Sequence, residues 1–447
     1  MAGDKVMKLL ARSLGCLALS CAAAGAGLSD TTTYADHTFG FELELPSDWE
    51  YDRARYPGAA GSIGLLRGWY GEGQRSLKIE IYRSYRATKF PDWVESFKKK
   101  IAEVRGTERI AIMIRNETRG DRIIEATGAM FGAESKRYYV CVPYDDQTVW
   151  VMSVAVMGND PENLRQANEV VETAYKSLKV HYSPAGKKEL SAALKRGQAV
   201  MARLKTGAMP VAITSEPRYY ELLGGDGPTG YTSHRIASEV HDKKRGWRTR
   251  TRTWEFGRDG AARYIRTNAF CTLDFSSEQI ETRADHISGG GEQRSVLTTL
   301  DQCIRERDSL FTTYSRSDEP RSFEAPPSVR TGPSYLPHVL LRQLPAILGH
   351  EPGEWHAFVI YDTQVRALLF HSFRSMGEQA PGRDGAESYR YEVRDGFASS
   401  SATLTTDRDG NLLEYAAGGT KVVARSKAYI EQKFGLRRDA GLKRLPK

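Results

Sequence analysis

The sequence is poor in the features that announce a chemistry directly. It has 5 cysteines in 447 residues, too few for a disulfide-built scaffold. It contains no Gly-x-Ser-x-Gly elbow, no P-loop and no paired Cys-x-x-Cys ligand set, so hydrolase, nucleotide and structural-zinc readings have no anchor. No cofactor is expected. Beyond the first residues no run approaches the ~20 apolar residues of a membrane helix. Gly (41) and Pro (18) are at ordinary levels, which excludes collagen-like and low-complexity chains. With 40% apolar and 27% charged residues, the chain has the composition of a globular protein. Its length predicts two or three domains.

The opening reads as an export signal over residues 1–26. Lys5, Lys8 and Arg12 supply a positive region, and an uncharged apolar stretch runs from Leu14 to Ala24, too short to span a bilayer as a stable helix. Small residues at Ala22 and Ala24, or Ala24 and Ala26, offer an A-x-A cleavage pattern. Lipidation of Cys21 is the alternative, although Ala18 and Leu19 depart from the usual pattern. The chain is therefore expected to be periplasmic or extracellular, with no transmembrane span after cleavage. Cys141, Cys271 and Cys303 then remain. Cys141 lies in a core-strand pattern, while Cys271 and Cys303 are candidates for one disulfide.

Residues 35–182 alternate strand and helix patterns. Phe39, Phe41, Leu43 and Leu45 recur at every second position up to Pro46, the signature of a half-buried strand. Trp93, Phe97, Ile101 and Val104 recur at helical spacing, with Lys98, Lys99 and Lys100 turned outward. Further strands are expected at 62–67, 77–82, 110–116, 121–131, 137–142 and 149–157. A closing helix carries Leu164, Ala167, Val171, Ala174 and Leu178. The segments Phe39-Gly40-Phe41-Glu42-Leu43-Glu44-Leu45-Pro46-Ser47-Asp48-Trp49, Val149-Trp150-Val151-Met152-Ser153-Val154-Ala155-Val156 and Ala174-Tyr175-Lys176-Ser177-Leu178-Lys179-Val180 resemble the opening and the end of the PsbP-like fold. That resemblance implies an antiparallel sheet covered by helices and a binding, assembly or accessory role. It carries over no catalytic or metal residue.

A basic helix is expected within the linker 183–210, stopped by Gly207 and Pro210. Residues 211–436 read as strands at 219–222, 231–239, 247–256, 261–273 and 279–286. A helix follows at 335–348 after Ala325-Pro326-Pro327. Strands resume at 355–361, 367–373, 389–393, 402–407 and 412–415, with Asp409-Gly410 as a hairpin turn. A short helix at 426–434 and a basic tail at 437–447 complete the chain. Tyr219-Tyr220-Glu221-Leu222, Gly230-Tyr231 and Asp407-Arg408-Asp409-Gly410-Asn411-Leu412 resemble the half-barrel of outer-membrane lipoprotein carriers, which implies a concave apolar surface for an acyl chain or peptide. The expected class is α+β: an antiparallel sheet with packed helices, then a larger β-rich half-barrel-like domain.

Several motifs compete for a functional role. Gly225-Asp226-Gly227-Pro228-Thr229-Gly230 matches G-x-G-x-x-G, but strands flank it, so no helix start faces a phosphate. Ser96-Phe97-Lys98-Lys99 matches S-x-x-K on a helix whose Phe97 belongs to the buried stripe. His350, Glu351, Glu354 and His356 can ligate a metal only if they converge, and Pro352-Gly353 places a turn among them; the expected metal set is none. Cys271 is a candidate nucleophile only beside an imidazole and a carboxylate. The charge of +8 gathers in the linker helix, the tail and the patch Lys243, Lys244, Arg245, Arg248, Arg250 and Arg252. The alternate spacing of Arg248, Arg250 and Arg252 places them on one strand face, a candidate anion-binding row. The reading is an exported, non-enzymatic envelope protein binding lipid, peptide or an acidic partner, with no nucleic acid expected. The alternative is a hydrolase or acyl-transfer enzyme using His350–His356 or Cys271.

Overall fold

The computed structural model describes residues 30–445, except 37–40, 53–55, 58–62, 71–76, 104–106, 117–120, 131–132, 145–147, 158–159, 181–183, 207–215, 226, 258–259, 289–295, 318–328, 364–365, 380–386 and 396–401. The export signal, Cys21 and Ala325-Pro326-Pro327 lie outside the described residues.

The first part comprises β1 (Thr31–Asp36), β2 (Phe41–Pro46), β3 (Glu50–Asp52), β4 (Tyr56–Pro57), β5 (Ile63–Tyr70), β6 (Leu77–Tyr85), α1 (Phe90–Glu103), β7 (Thr107–Asn116), β8 (Asp121–Met130), β9 (Ala133–Pro143), β10 (Thr148–Met157), α2 (Pro161–Ser177) and β11 (Lys179–Val180). An antiparallel sheet in the order β3-β5-β6-β10-β9-β8-β7, with β4 beside β5, forms its centre. Alternation along the strands decides which layer covers which face. Phe90, Trp93, Phe97 and Ile101 of α1 pack on Tyr139, Cys141 and Val151. The other face buries Trp150, Met152 and Val154 against α2 and against Phe41, Leu43 and Leu45 of β2. The layered α/β sandwich expected from the sequence is therefore present, and Cys141 is a buried core thiol.

α3 (Pro184–Thr206) leads into β12 (Arg218–Gly224), β13 (Gly227–His241), β14 (Lys244–Phe256), β15 (Ala262–Thr272), β16 (Ser277–Ile287), β17 (Val296–Glu306), β18 (Ser309–Arg316) and β19 (Val329–Arg330). A 3-10 turn (His338–Gln343) and α4 (Leu344–Leu348) follow. β20 (His356–Asp362), β21 (Ala367–Gln379), β22 (Ser388–Asp395), β23 (Ala402–Thr406), β24 (Leu412–Ala417), β25 (Thr420–Arg425) and α5 (Lys427–Leu442) complete the chain. The strands from β12 onward form one 14-stranded sheet with β19 at one edge and β20 at the other. The meander breaks once, where β12 pairs with β25. The sheet does not close, but the chain after β19 reaches its far edge. Tyr335 bridges Val359 in parallel, and the Leu336 amide donates to the Val359 carbonyl at 2.8 Å.

One face of this sheet turns inward. Ala269, Cys271, Ile280 and Cys303 share a core with Leu336, Leu340, Phe358, Ile360 and Phe370. On the outer face α5 lays Ile430 and Phe434 over Tyr231, Trp254 and Tyr264. The two parts of the chain meet where the Tyr85 ring packs edge-on against Phe370, centroids 6.0 Å apart.

Several expectations need correction. The helix expected at 335–348 is only the 3-10 turn and α4, because the residues before Pro337 are extended along β20. Strands β17 and β18 occupy 296–316, where none was expected; β17 buries Asp301, Cys303 and Arg305 and leaves Ile304 exposed, so its alternation is inverted. The last helix runs on to Leu442, taking in part of the basic tail. Cys271 and Cys303 are free thiols. They sit on β15 and β17, separated by β16, and two strand spacings of ~4.8 Å exceed the reach of a disulfide.

Candidate functional site

Antiparallel register assigns every side chain of β13–β18 to the inner or outer face. Thr251 and Thr253 of β14, Thr267 of β15, Thr282 of β16 and Thr299 of β17 all point inward. They line a chamber of about 430 Å³ between the inner face, the 3-10 turn and the β20–β21 connection. That volume falls within the range of small-molecule sites. The concave surface implied by the carrier resemblance was apolar. The observed one is a threonine strip, because the middle inward positions of β14 are Thr249, Thr251 and Thr253.

Charged groups reach the chamber from three directions. Arg263 enters from β15, Arg342 from the 3-10 turn and Arg366 from the start of β21. Arg263 pairs with Glu255 at 3.5 Å. Arg366 lies over the Tyr314 ring, 3.6 Å from its centroid. Arg342 lies over the Tyr220 ring at 5.5 Å, and among the described residues no carboxylate is within ion-pair distance of it. Its side chain is solvent-exposed, and desolvation by the surrounding atoms holds its guanidinium below its ordinary pKa, with Tyr220 opposing.

The histidines and Asp301 of the chamber are shifted toward neutrality. Burial, followed by repulsion from Arg342 and His338, lowers the His234 pKa well below its usual value. Burial and Arg342 bring His338 down to about 4. Desolvation pushes Asp301 up to about 7, although the Tyr361 hydroxyl, 3.2 Å from both carboxylate oxygens, pulls the other way. Lowered histidines and a raised Asp301 shift the charge balance of the chamber toward its arginines, of which Arg263 is paired with Glu255. His234 Nε2 and His338 Nδ1 are buried without a protein hydrogen-bond partner, the condition that a water or ligand relieves.

The residues singled out in the sequence do not converge here. Arg248, Arg250 and Arg252 share one face as expected, but it is the outer one, whereas Arg245 falls on the inner side and Lys243 sits in the β13–β14 turn. Glu239 meets Arg248 at 2.9 Å and Arg250 at 3.0 Å, so part of the row is compensated. His350 uses both ring nitrogens, on the Tyr391 hydroxyl at 2.6 Å and the Arg408 carbonyl at 2.7 Å. His356 faces the Glu354 carbonyl at 3.2 Å. These groups brace a turn, and among the described residues no cluster of metal-ligating side chains forms.

Cys271 lies on a buried strand, and burial, then Glu278, push its thiol well above its ordinary pKa. A neutral, enclosed thiol is a poor nucleophile. Its neighbour Glu278 is fully buried, accepting from the Tyr335 hydroxyl at 2.8 Å and the His338 amide at 2.6 Å, with Arg305 3.6 Å away. Ser96 is an exposed residue of α1. A wider groove of about 630 Å³ runs past Tyr219, Asp407 and Arg425. Two of its charges are already committed, Arg425 to Glu221 at 3.0 Å and Asp407 to the Asn411 side chain at 2.9 Å.

Arg342, Arg366 and the threonine strip escaped the sequence reading. The alternate threonines Thr249, Thr251 and Thr253 were the available signal.

No protein-family model matches the sequence, and no curated protein matches it significantly. Several solved structures are similar in fold, and two illustrate the likeness. The solution structure of cyanobacterial PsbP (CyanoP) from Synechocystis sp. PCC 6803 aligns over 36% of this chain and 98% of its own, at 10% identity and a TM-score of 0.26. The β-barrel-like domain of unknown function DUF1849 from Brucella abortus aligns over 47% of this chain and 94% of its own, at 11% identity and a TM-score of 0.33. Both likenesses concern fold alone: a PsbP-like shape and a barrel-like one.

Proposed function

We propose that the protein is an exported, non-enzymatic binding module whose inner chamber takes a small hydroxylated anion of the sugar-acid or sugar-phosphate class. The observation that carries this reading is Arg342, a guanidinium in the chamber without a carboxylate partner among the described residues. Arg342 is solvent-exposed and carries no counter-ion among the described residues, so its donor fork is open to an anionic ligand. The threonine hydroxyls are already engaged, Thr251 with His234, Thr253 with Thr232 and Thr267 with Thr282, and their remaining lone pairs accept from ligand hydroxyls, so the strip suits such a ligand better than an acyl chain. Export rests on the leader pattern at Lys5–Ala24. The absence of catalysis is favoured by the neutral enclosed Cys271 and the fully committed His350.

The test is thermal unfolding with citrate, glucuronate and glucose 6-phosphate. At 100 times Kd a ligand stabilises by about 2.7 kcal/mol, a shift of a few degrees for a chain of this size. At least one probe is expected to produce it, and Arg342→Gln to abolish it without lowering the unliganded Tm. No shift with any probe overturns the reading.

A further inference from the structure

The outer face of the large sheet carries an arrangement that the chamber does not use. Register places Arg252, Arg266 and Arg283 directly opposite one another on β14, β15 and β16, a transverse row with a spacing of ~4.8 Å. Like charges directly opposite are unfavourable. Counting Arg235, Arg248 and Arg250, the outer face of β13–β16 holds six arginines against Glu239, Glu281 and Asp285. Two of these acids are shared: Glu239 meets Arg248 and Arg250, while Asp285 meets Arg266 and Arg283, each at 3.1 Å. Arg252 is exposed and has no acidic partner among the described residues.

The same face also exposes apolar groups. Ile304 and Phe311 are a cross-strand pair, 44% and 48% exposed. On α5, which covers the opposite end of this face, Leu436 is 90% exposed. A single exposed apolar residue is ordinary, but an apolar pair beside a field of guanidiniums has a specific match. The geometry points to docking of this face on an anionic lipid bilayer surface: the arginines hold headgroup phosphates while Phe311 and Ile304 enter the acyl boundary. A single-stranded nucleic acid fits less well, since it stacks on aromatic platforms and Trp254 and Tyr264 on this face are buried under α5, and a duplex, held through its phosphates, leaves the apolar pair without a role. A soluble acidic polysaccharide uses the charge and leaves the apolar pair without a role.

The experiment is vesicle co-sedimentation of the full chain carrying Cys21→Ala, which removes any acyl anchor, with phosphatidylcholine alone or mixed with phosphatidylglycerol. Binding is expected only to the mixed vesicles and is expected to weaken with salt. Arg252→Glu is expected to lower partitioning about tenfold or more, because each basic charge near the surface contributes roughly a factor of five. Phe311→Ser is expected to lower it further, at any salt concentration. Both positions are exposed, and an unchanged Tm verifies folding; Arg252→Gln, the milder change, is expected to fall between wild type and Arg252→Glu. Equal binding to neutral vesicles overturns the inference. So does retention on heparin or single-stranded DNA without vesicle binding, and so do variants that bind as well as the wild type.

Discussion

Gly197 of α3 and Ala357 of β20 meet backbone to backbone: a Cβ on Gly197 would lie 2.0 Å from the Ala357 carbonyl oxygen. The basic helix is thus seated against the edge strand of the large sheet, next to the Tyr335–Val359 bridge, and together they cover an edge exposed to pairing. Arg196 and Arg203 fasten it by donating to the carbonyls of Trp355 at 2.7 Å and Ile347 at 3.1 Å.

Gly197→Ala sets two effects against each other. Alanine favours a helix over glycine by about 1 kcal/mol, whereas forcing a methyl group into a packed contact costs about 1–3 kcal/mol or more. The contact is expected to win and Tm to fall by several degrees. A rise in Tm means the helix does not sit this close.

Asp301 makes stability depend on pH. Its folded pKa of about 7 lies above the ordinary carboxylate value of ~3.9, so the native state retains a proton that the unfolded chain releases. The stabilisation is fully present below pH ~4 and is lost as pH rises through about 7, with a total on the order of 4 kcal/mol. Asp301→Asn is expected to flatten this part of the profile when denaturant unfolding is compared at pH 5 and pH 8. Parallel profiles for variant and wild type refute it.

Glu278 organises the region where the chain crosses from β19 to β20. Glu278→Leu leaves Arg305 buried and unpaired and is expected to cost about 3–5 kcal/mol. Tyr335→Phe removes one hydrogen bond to the same carboxylate, which costs about 1–3 kcal/mol. Equilibrium unfolding of both variants checks the order; equal losses mean the ion pair is not the organiser.

Cys271 and Cys303 are expected to stay reduced even in an oxidising compartment, since β16 lies between them. Thiol-reactive reagent should label neither in the native protein and both after denaturation. An intact mass two hydrogens short, with a Cys271–Cys303 cross-linked peptide, contradicts the register.

Legibility followed the polarity of the buried positions. Phe41, Leu43 and Leu45 alternate with exposed or half-buried residues because their strand has one dry face, and the stripe from Trp93 to Ile101 marks α1 for the same reason. β17 defeats this rule, since its inward side chains serve the chamber and the Glu278–Arg305 pair and are themselves polar. The arginine row on β14 was visible from its spacing. Its neighbours Arg266 and Arg283 belong to other strands and join it only through register.

Local pattern by itself determined most strands, the amphipathic helices and the division into a helix-covered sheet and a larger β-rich part, because apolar periodicity is written along the chain. Tertiary structure alone decided which groups meet: that Arg342 enters a threonine-lined chamber, that Tyr335 spans the open edges, and that Cys271 stays apart from Cys303. Those outcomes depend on strand order and register between residues tens of positions apart, and hydrophobic periodicity carries no record of such distances.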